Sequence, residues 1–190
     1  MTVTTLDPKT ALLVVDLQKG VVSLPTAHPV DGVVTQARAL ADAFRHYRLP
    51  VVLIKVTGGA PGRTEQTRTT GPRPDGWSDL IAEMNQEPHD HVVTKRTWGA
   101  FTGTGLAEHL KALGVTQVVI GGVATSIGVE STARQAYEHG FHVTLVTDAM
   151  TDLSLEAHDN SVTRIFPRLG ETGTTGEIVA LLAKSVGNAC

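Results

Sequence analysis

The sequence predicts an α/β domain built on a parallel sheet. Three observations carry that expectation. Short stretches rich in apolar, often β-branched residues recur along the chain: Ala11–Val15 (ALLVV), a continuous apolar run, then Val51–Val56 (VVLIKV) and Val115–Ile120. Such runs suit strands buried on both faces. Segments with helical spacing lie between them, and strand–helix alternation is the pattern of right-handed parallel crossovers. Polar or glycine features then punctuate the C-terminal ends of the runs, at Asp16, at Lys95 and from Gly122 to Gly128. In open parallel sheets the chemistry sits beyond those ends.

Taken in order, Ala11–Val15 is a central strand ending in Asp16, and residues 17–29 form a loop rich in Pro, Gly and Ser. Asp31–Arg48 is helical, with Val34, Ala37, Leu40, Ala41 and Phe44 on one face, and Leu49-Pro50 ends it. Val51–Val56 is the second strand. Thr57–Asp90 is the least regular stretch, rich in Gly, Pro, Thr and Arg to Gly76 and then offering Trp77–Met84 as a short helix. A connection this long is expected to serve as a rim or lid over a site. His91–Thr94 is a third strand followed by Lys95, and Leu106–Leu113 a helix closed by Gly114. Val115–Ile120 is the fourth strand. Ser126–His139 is the central helix, closed by Gly140, and Phe141–Val146 is a fifth strand ending at Asp148. Leu155–Phe166 is a helix stopped by Pro167, Arg168–Thr172 a sixth, edge strand, and Thr175–Lys184 the last helix, with Thr174 or Thr175 as cap and Glu177 in its first turn. The rhythm never breaks, so one domain is expected over all 190 residues.

Composition narrows the function. A net charge of -3 leaves no basic footprint for nucleic acid. No apolar run approaches the roughly 20 residues of a membrane helix, and Met1–Lys9 lacks the basic start and apolar core of a signal peptide. The single cysteine, Cys190, cannot form an internal disulfide. A reducing cytoplasm is the expected setting.

The stretch from Val118 to Arg134, VVIGGVATSIGVESTAR, concentrates the chemistry. A buried strand passes through Gly121-Gly122 into a helix, which gathers backbone N–H groups and the positive end of a helix dipole. Such a turn can hold a carbonyl oxygen or a developing negative charge. The alternative is plain helix capping by Thr125 or Ser126. Asp16 and Lys95, meeting in a cleft, would make a proton-transfer pair. Read by position alone, each has an ordinary alternative, a turn cap for Asp16 and a surface ion pair for Lys95. Ser126 does not sit in a G-x-S-x-G elbow, since Ala124 lies two residues before it. The eight histidines form no metal-ligand pair, so neither a metal nor a cofactor is expected. Gly121-Gly122 lacks the spacing of a dinucleotide fingerprint. Trp77, Trp98 and Phe101 are the aromatics placed to line a pocket, with core packing the alternative for each. Gln18, Thr125 and Ser126 complete the candidate pocket.

Three blocks, LLVVDLQKG, VTKRTWGAFTGTGL and GGVATSIGVESTARQAYEHGFHVTLVTDA, together resemble the isochorismatase-like hydrolase family. That family includes nicotinamidases, N-carbamoylsarcosine amidohydrolases and isochorismatases. The resemblance spans nearly the whole chain. It implies a doubly wound, three-layer α/β/α domain with six parallel strands in the order 3-2-1-4-5-6. It implies an Asp-Lys-Cys triad, with Asp16 and Lys95 matching the Asp and Lys, and a cis peptide falling between Val123 and Ala124. It also implies a small-molecule substrate and self-association into a dimer or tetramer.

The chain departs from the family at the cysteine. The pattern G-x-x-T-x-x-C-V-x-x-T-A-R lands on Gly122, Thr125, Gly128, Val129, Thr132, Ala133 and Arg134, so the nucleophile position holds Gly128. Without a thiolate the thioester route to amide hydrolysis is lost. The metal-binding histidines of nicotinamidases have no counterpart between Lys55 and Arg68. Isochorismatases resemble the chain here, with a glycine after an isoleucine, and cleave a vinyl ether by protonating carbon and adding water. They carry a histidine before that isoleucine, where this chain has Ser126. Their substrate-binding arginine would be sought among Arg63, Arg68 and Arg73. The SIGVESTAR block resembles a bacterial subgroup of the family. The expectation is a hydrolase without a cysteine nucleophile. Asp16 would be its acid–base group, Lys95 would tune that group, and the backbone N–H groups of Ala124 and Gly128 would hold an oxygen. The alternative is an inactive relative that binds a small molecule or serves in assembly.

Overall fold

Six parallel strands run in the spatial order β3-β2-β1-β4-β5-β6 in this computed structural model. They are β1 (Thr10–Val15), β2 (Val51–Val56), β3 (His91–Lys95), β4 (Gln117–Val123), β5 (His142–Thr151) and β6 (Glu171–Gly173). The structure describes residues 2–65 and 72–187, with side chains through Lys184. Met1, Arg68 and Cys190 lie outside the described residues. The helices are α1 (Lys19–Val22), α2 (Val30–His46), α3 (Leu106–Ala112), α4 (Glu130–Glu138), α5 (Leu155–Asn160), α6 (Phe166–Leu169) and α7 (Thr175–Gly187).

Strand alternation divides the core into two layers. Leu13, Val15, Ile54, Ile120 and Leu145 face α3, α4 and α6 through Leu110, Ala133, Ala136 and Phe166. Leu12, Val14, Leu53 and Val119 face α2 and α7 through Leu40, Phe44 and Ile178. Every residue of β1 is buried, as its unbroken apolar run requires. The strand order reverses between β1 and β4, and the crevice beyond their carboxyl ends is where this topology places ligands.

Gly121 and Gly122 explain how β4 fits between its neighbours. A Cβ on Gly121 would stand 2.9 Å from the Ala149 carbonyl oxygen, and one on Gly122 would overlap the Val15 backbone. Gly122 also has φ 125, in the region L side chains avoid. The close approach comes with a break in register, Ile120 pairing with Leu145 but Gly122 with Met150. At that break Asp148 turns outward, and its Oδ1 accepts Thr175 N (2.8 Å) and Oγ1 (2.9 Å) at the start of α7. Glu177 Oε2 accepts Thr174 N at 2.8 Å, completing a capping box.

The expected loop over 17–29 contains the short helix α1, and the expected edge strand Arg168–Thr172 is only Glu171–Gly173 because Arg168 and Leu169 belong to α6. Four further elements differ from the sequence expectation. Trp77–Met84 is not a helix. Its backbone is claimed by the loop after β1, through Gly20 N to Trp77 O, Lys19 N to Asp79 O and Ile81 N to Leu17 O, and only Ala82–Met84 forms a 3₁₀ turn. The central helix opens as a π-turn over Thr125–Val129, with Val129 N reaching back to Ala124 O, before α4 begins. The fifth strand continues past Val146 to Thr151, because β4 itself runs on through its glycines and supplies a partner. Pro167 does not stop its helix. A π-turn over Ser161–Ile165 precedes it, so Pro167 falls in the first turn of α6, where a missing N–H is tolerated.

Candidate active site

Asp16 leaves β1 with φ 53, a left-handed backbone that is uncommon outside glycine and asparagine. Its own N–H donates to Ile54 O at 2.8 Å, so the neighbouring strand holds it there. The residue is 5% exposed. Lys95, at the end of β3, is 2% exposed and donates to Asp16 Oδ2 at 2.7 Å. Its ammonium also donates to Trp98 O at 2.6 Å and Thr97 O at 3.4 Å. Three acceptors for three hydrogens leave Lys95 no donor for a ligand. Its effect on chemistry therefore passes through Asp16. This is a buried pair, not the surface ion pair that position alone would suggest.

Burial pushes the Asp16 carboxyl up from an ordinary 3.8 to about 6, with the Lys95 charge and hydrogen bond pulling the other way and only partly offsetting it. Asp16 Oδ1 is buried and has no hydrogen-bond partner among the described residues. A carboxyl with one oxygen anchored, the other unpaired and a midpoint near 6 can take or deliver a proton at neutral pH.

Gly128 faces this pair. A Cβ built on it would lie 3.1 Å from Asp16 Oδ2, 3.0 Å from Val15 Cγ1 and 3.4 Å from Val123 O. Its φ is not in the left-handed region, so the backbone does not demand glycine. What the glycine changes is the space beside the carboxylate. The Val123–Ala124 peptide is cis, and the π-turn starts just after it.

The other candidate residues divide. Gln18 is fully buried with its amide spent on backbone: Oε1 accepts Val56 N at 2.7 Å, and Nε2 donates to Val56 O and Trp77 O. It clamps the rim and is not a pocket residue. Trp77 is half-buried with its indole against Gly20, and the Arg73 guanidinium lies 3.6 Å from the ring centroid. Residues 77–81 are thus pinned to the loop that follows Asp16. Trp98 is 60% exposed at the rim and serves Lys95 with its carbonyl. Phe101 packs into the core against Phe141 and His139, which removes it from the pocket. Arg63 is exposed. Neither Thr125 nor Ser126 caps the helix with its side chain. Thr125 is fully buried with Oγ1 2.8 Å from His158 Nδ1. Ser126 N–H is capped by Asp152 Oδ2 at 2.6 Å.

Asp152, His158, Thr132 and Gln135 are contributions that the sequence reading passed over. Asp152 is 2% exposed, and its Oδ1 accepts Leu153 N and Ser154 N while Oδ2 holds the turn. Burial, then the His28 ring 4.8 Å away, push the His158 imidazole below its ordinary value. Their partners lie 26 and 33 residues away, a separation with no sequence signature. Among the described residues no group of three or more His, Cys, Asp or Glu is placed to hold a metal ion. No helix among them is long and apolar enough to cross a membrane.

The isochorismatase domain family matches residues 10–177. The chain belongs to the isochorismatase family. An isochorismatase family protein of Burkholderia thailandensis superposes with a TM-score of 0.91 at 39% identity, covering 94% of this chain and 98% of that one. The isochorismatase family protein YwoC of Bacillus subtilis is 39% identical over 178 residues, 90% of this chain and 93% of its own. Streptothricin hydrolase of Streptomyces noursei is 36% identical over 148 residues, 77% of this chain and 51% of that protein. The Burkholderia thailandensis structure shares this chain's doubly wound fold.

Proposed function

We propose that this isochorismatase family member hydrolyses a small molecule without a cysteine nucleophile, with Asp16 as the acid–base group. The observation that carries the reading is the buried Asp16–Lys95 pair, 2.7 Å apart, facing the side of Gly128 where a side chain would stand. Relatives named as hydrolases support the reaction class. In this reading Lys95 keeps Asp16 titrating near neutrality, and the N–H groups of Ala124 and Gly128 receive an oxygen of the substrate. For a vinyl ether, the protonated Asp16 carboxyl delivers its proton to the terminal vinyl carbon. Water adds to the resulting oxocarbenium carbon and returns a proton to Asp16, and the hemiketal then releases a ketone and an alcohol. We infer a cytoplasmic homo-oligomer, a dimer or tetramer, as the working form, on the family resemblance.

The test is pyruvate release from isochorismate by the purified protein, with Asp16→Asn beside it. Release that disappears in Asp16→Asn, and that falls as pH rises through about 6, supports Asp16 as proton donor. Retained turnover in Asp16→Asn excludes the mechanism. No release by the native protein removes isochorismate and favours a second reading. That reading, motivated by the absent side chain at Gly128, is a protein that binds a small ligand or serves in assembly without turnover.

A further inference from the structure

The loop that anchors Lys95 is itself tied to α4. Residues 97 and 98 supply the carbonyls that receive the Lys95 ammonium. Two residues later, Ala100 N donates to Thr132 Oγ1 at 3.2 Å, and Phe101 N donates to Gln135 Oε1 at 2.9 Å. Gln135 Nε2 continues to Thr102 Oγ1 at 2.6 Å. Thr132 and Gln135 stand three apart on α4 and so share a face. Gly99 fits the arrangement, since a Cβ there would overlap the Gln135 amide.

A threonine hydroxyl bonded to the carbonyl four residues back is ordinary in helices, and Thr132 Oγ1 does donate to Gly128 O, at 2.6 Å. What is not ordinary is the second bond of the same oxygen, from a loop 32 residues away. One fully buried hydroxyl thereby joins the carbonyl of Gly128 to the loop holding Lys95. The helix beneath is fixed by Val129, Ala133 and Ala136 in the core.

We infer that Thr132 and Gln135 are positioning residues, which hold the 97–102 loop so that the Lys95 ammonium stays against Asp16. The proposal rests on reading Asp16–Lys95 as the reactive pair, but its test needs no substrate. Lys95 is the cation that opposes the upward pull of burial on Asp16. A loop freed from α4 lets the ammonium retreat, and the Asp16 midpoint then rises. At an effective dielectric of about 20, a retreat of about 1 Å moves the midpoint by about one unit.

The experiment follows the Asp16 carboxyl carbon by NMR across pH in native protein, Thr132→Val, Thr132→Ser and Gln135→Met. The Val variant keeps the shape and removes the hydroxyl, and Ser restores it. The expected result is an upward shift of about one unit in Thr132→Val, a smaller upward shift in Gln135→Met, and a native midpoint in Thr132→Ser. A folded Thr132→Val with a native midpoint overturns the inference, as does a Ser variant displaced as far as Val. If Thr132→Val does not fold, half-buried Gln135 decides, and an unmoved midpoint in Gln135→Met overturns it. Turnover that persists in Asp16→Asn sinks the catalytic reading instead and leaves these midpoints untouched.

Discussion

Replacing Asp16 by Asn should change how stability depends on pH. The Asp16 carboxyl stands at about 6 in the folded protein against an ordinary 3.8. Below pH 3.8 the group is protonated in both states and contributes no difference. Between 3.8 and 6 the unfolded chain releases the proton while the folded chain keeps it, so stability falls as pH rises. Above 6 both states are ionised and the loss is complete. A separation of about two units corresponds to about 3 kcal/mol, of which 2–3 kcal/mol, roughly, falls between pH 4 and pH 7. Asn carries no titration, so subtracting its stability from that of the native protein isolates the Asp16 contribution. Asp16→Asn also leaves the Lys95 ammonium buried without its carboxylate, at a cost of about 3–5 kcal/mol. The assay is urea unfolding from pH 4 to pH 7 in native protein and Asp16→Asn. Asp16→Asn/Lys95→Met provides a background free of the stranded charge. A native-minus-Asn difference that is flat, or that grows with pH, would refute the assignment of a raised Asp16 pKa, and with it the case for Asp16 as a proton carrier near neutrality.

Gly128→Cys places a thiol beside Asp16 at a residue whose backbone accepts an L side chain. In a Cys190→Ser background it should alkylate faster at pH 7 than a free cysteine, whose pKa is about 8.5. An ordinary rate would mean that the Asp16–Lys95 surroundings do not activate a thiol. The tight 3.0 and 3.1 Å contacts of the new Cβ should make the variant less stable than native, which thermal unfolding would show. Thr174→Ala removes the hydroxyl that caps α7 and should lower stability by about 1 kcal/mol in chemical denaturation, with no effect on Gly128→Cys reactivity.

Most of the fold was legible because β1, β2 and β4 announce themselves locally. Strands buried on both faces must be continuously apolar, as ALLVV and the first four residues of VVLIKV are. Their order was legible only through resemblance, since periodicity does not say which strands are neighbours. Two misread elements show why local pattern fell short. Trp77–Met84 has helical composition, but its backbone bonds go to residues 17–20, some sixty positions earlier. Pro167 ends a regular helix, but the π-turn before it resets the hydrogen-bond count. In the first case tertiary pairing overrode local propensity, and in the second a local π-turn moved the proline into a tolerated position.

The candidate site divides the same way. The chain itself determines that a carboxylate follows a buried strand, that a lysine follows another, and that the position facing them holds glycine. Those facts limit the chemistry: no thiolate can form at Gly128, and in the proposed reading proton transfer falls to Asp16. Only the tertiary structure decides that Lys95 is spent entirely on Asp16 Oδ2 and two carbonyls. It also decides that the Gln18 amide is spent on backbone, that Phe101 packs into the core, and that Asp152, His158 and Thr132 hold the turn. The physical reason is that a carboxyl's pKa and a hydroxyl's role depend on burial and on partners within about 3 Å. Residues far apart along the chain supply those partners, and only folding brings them together.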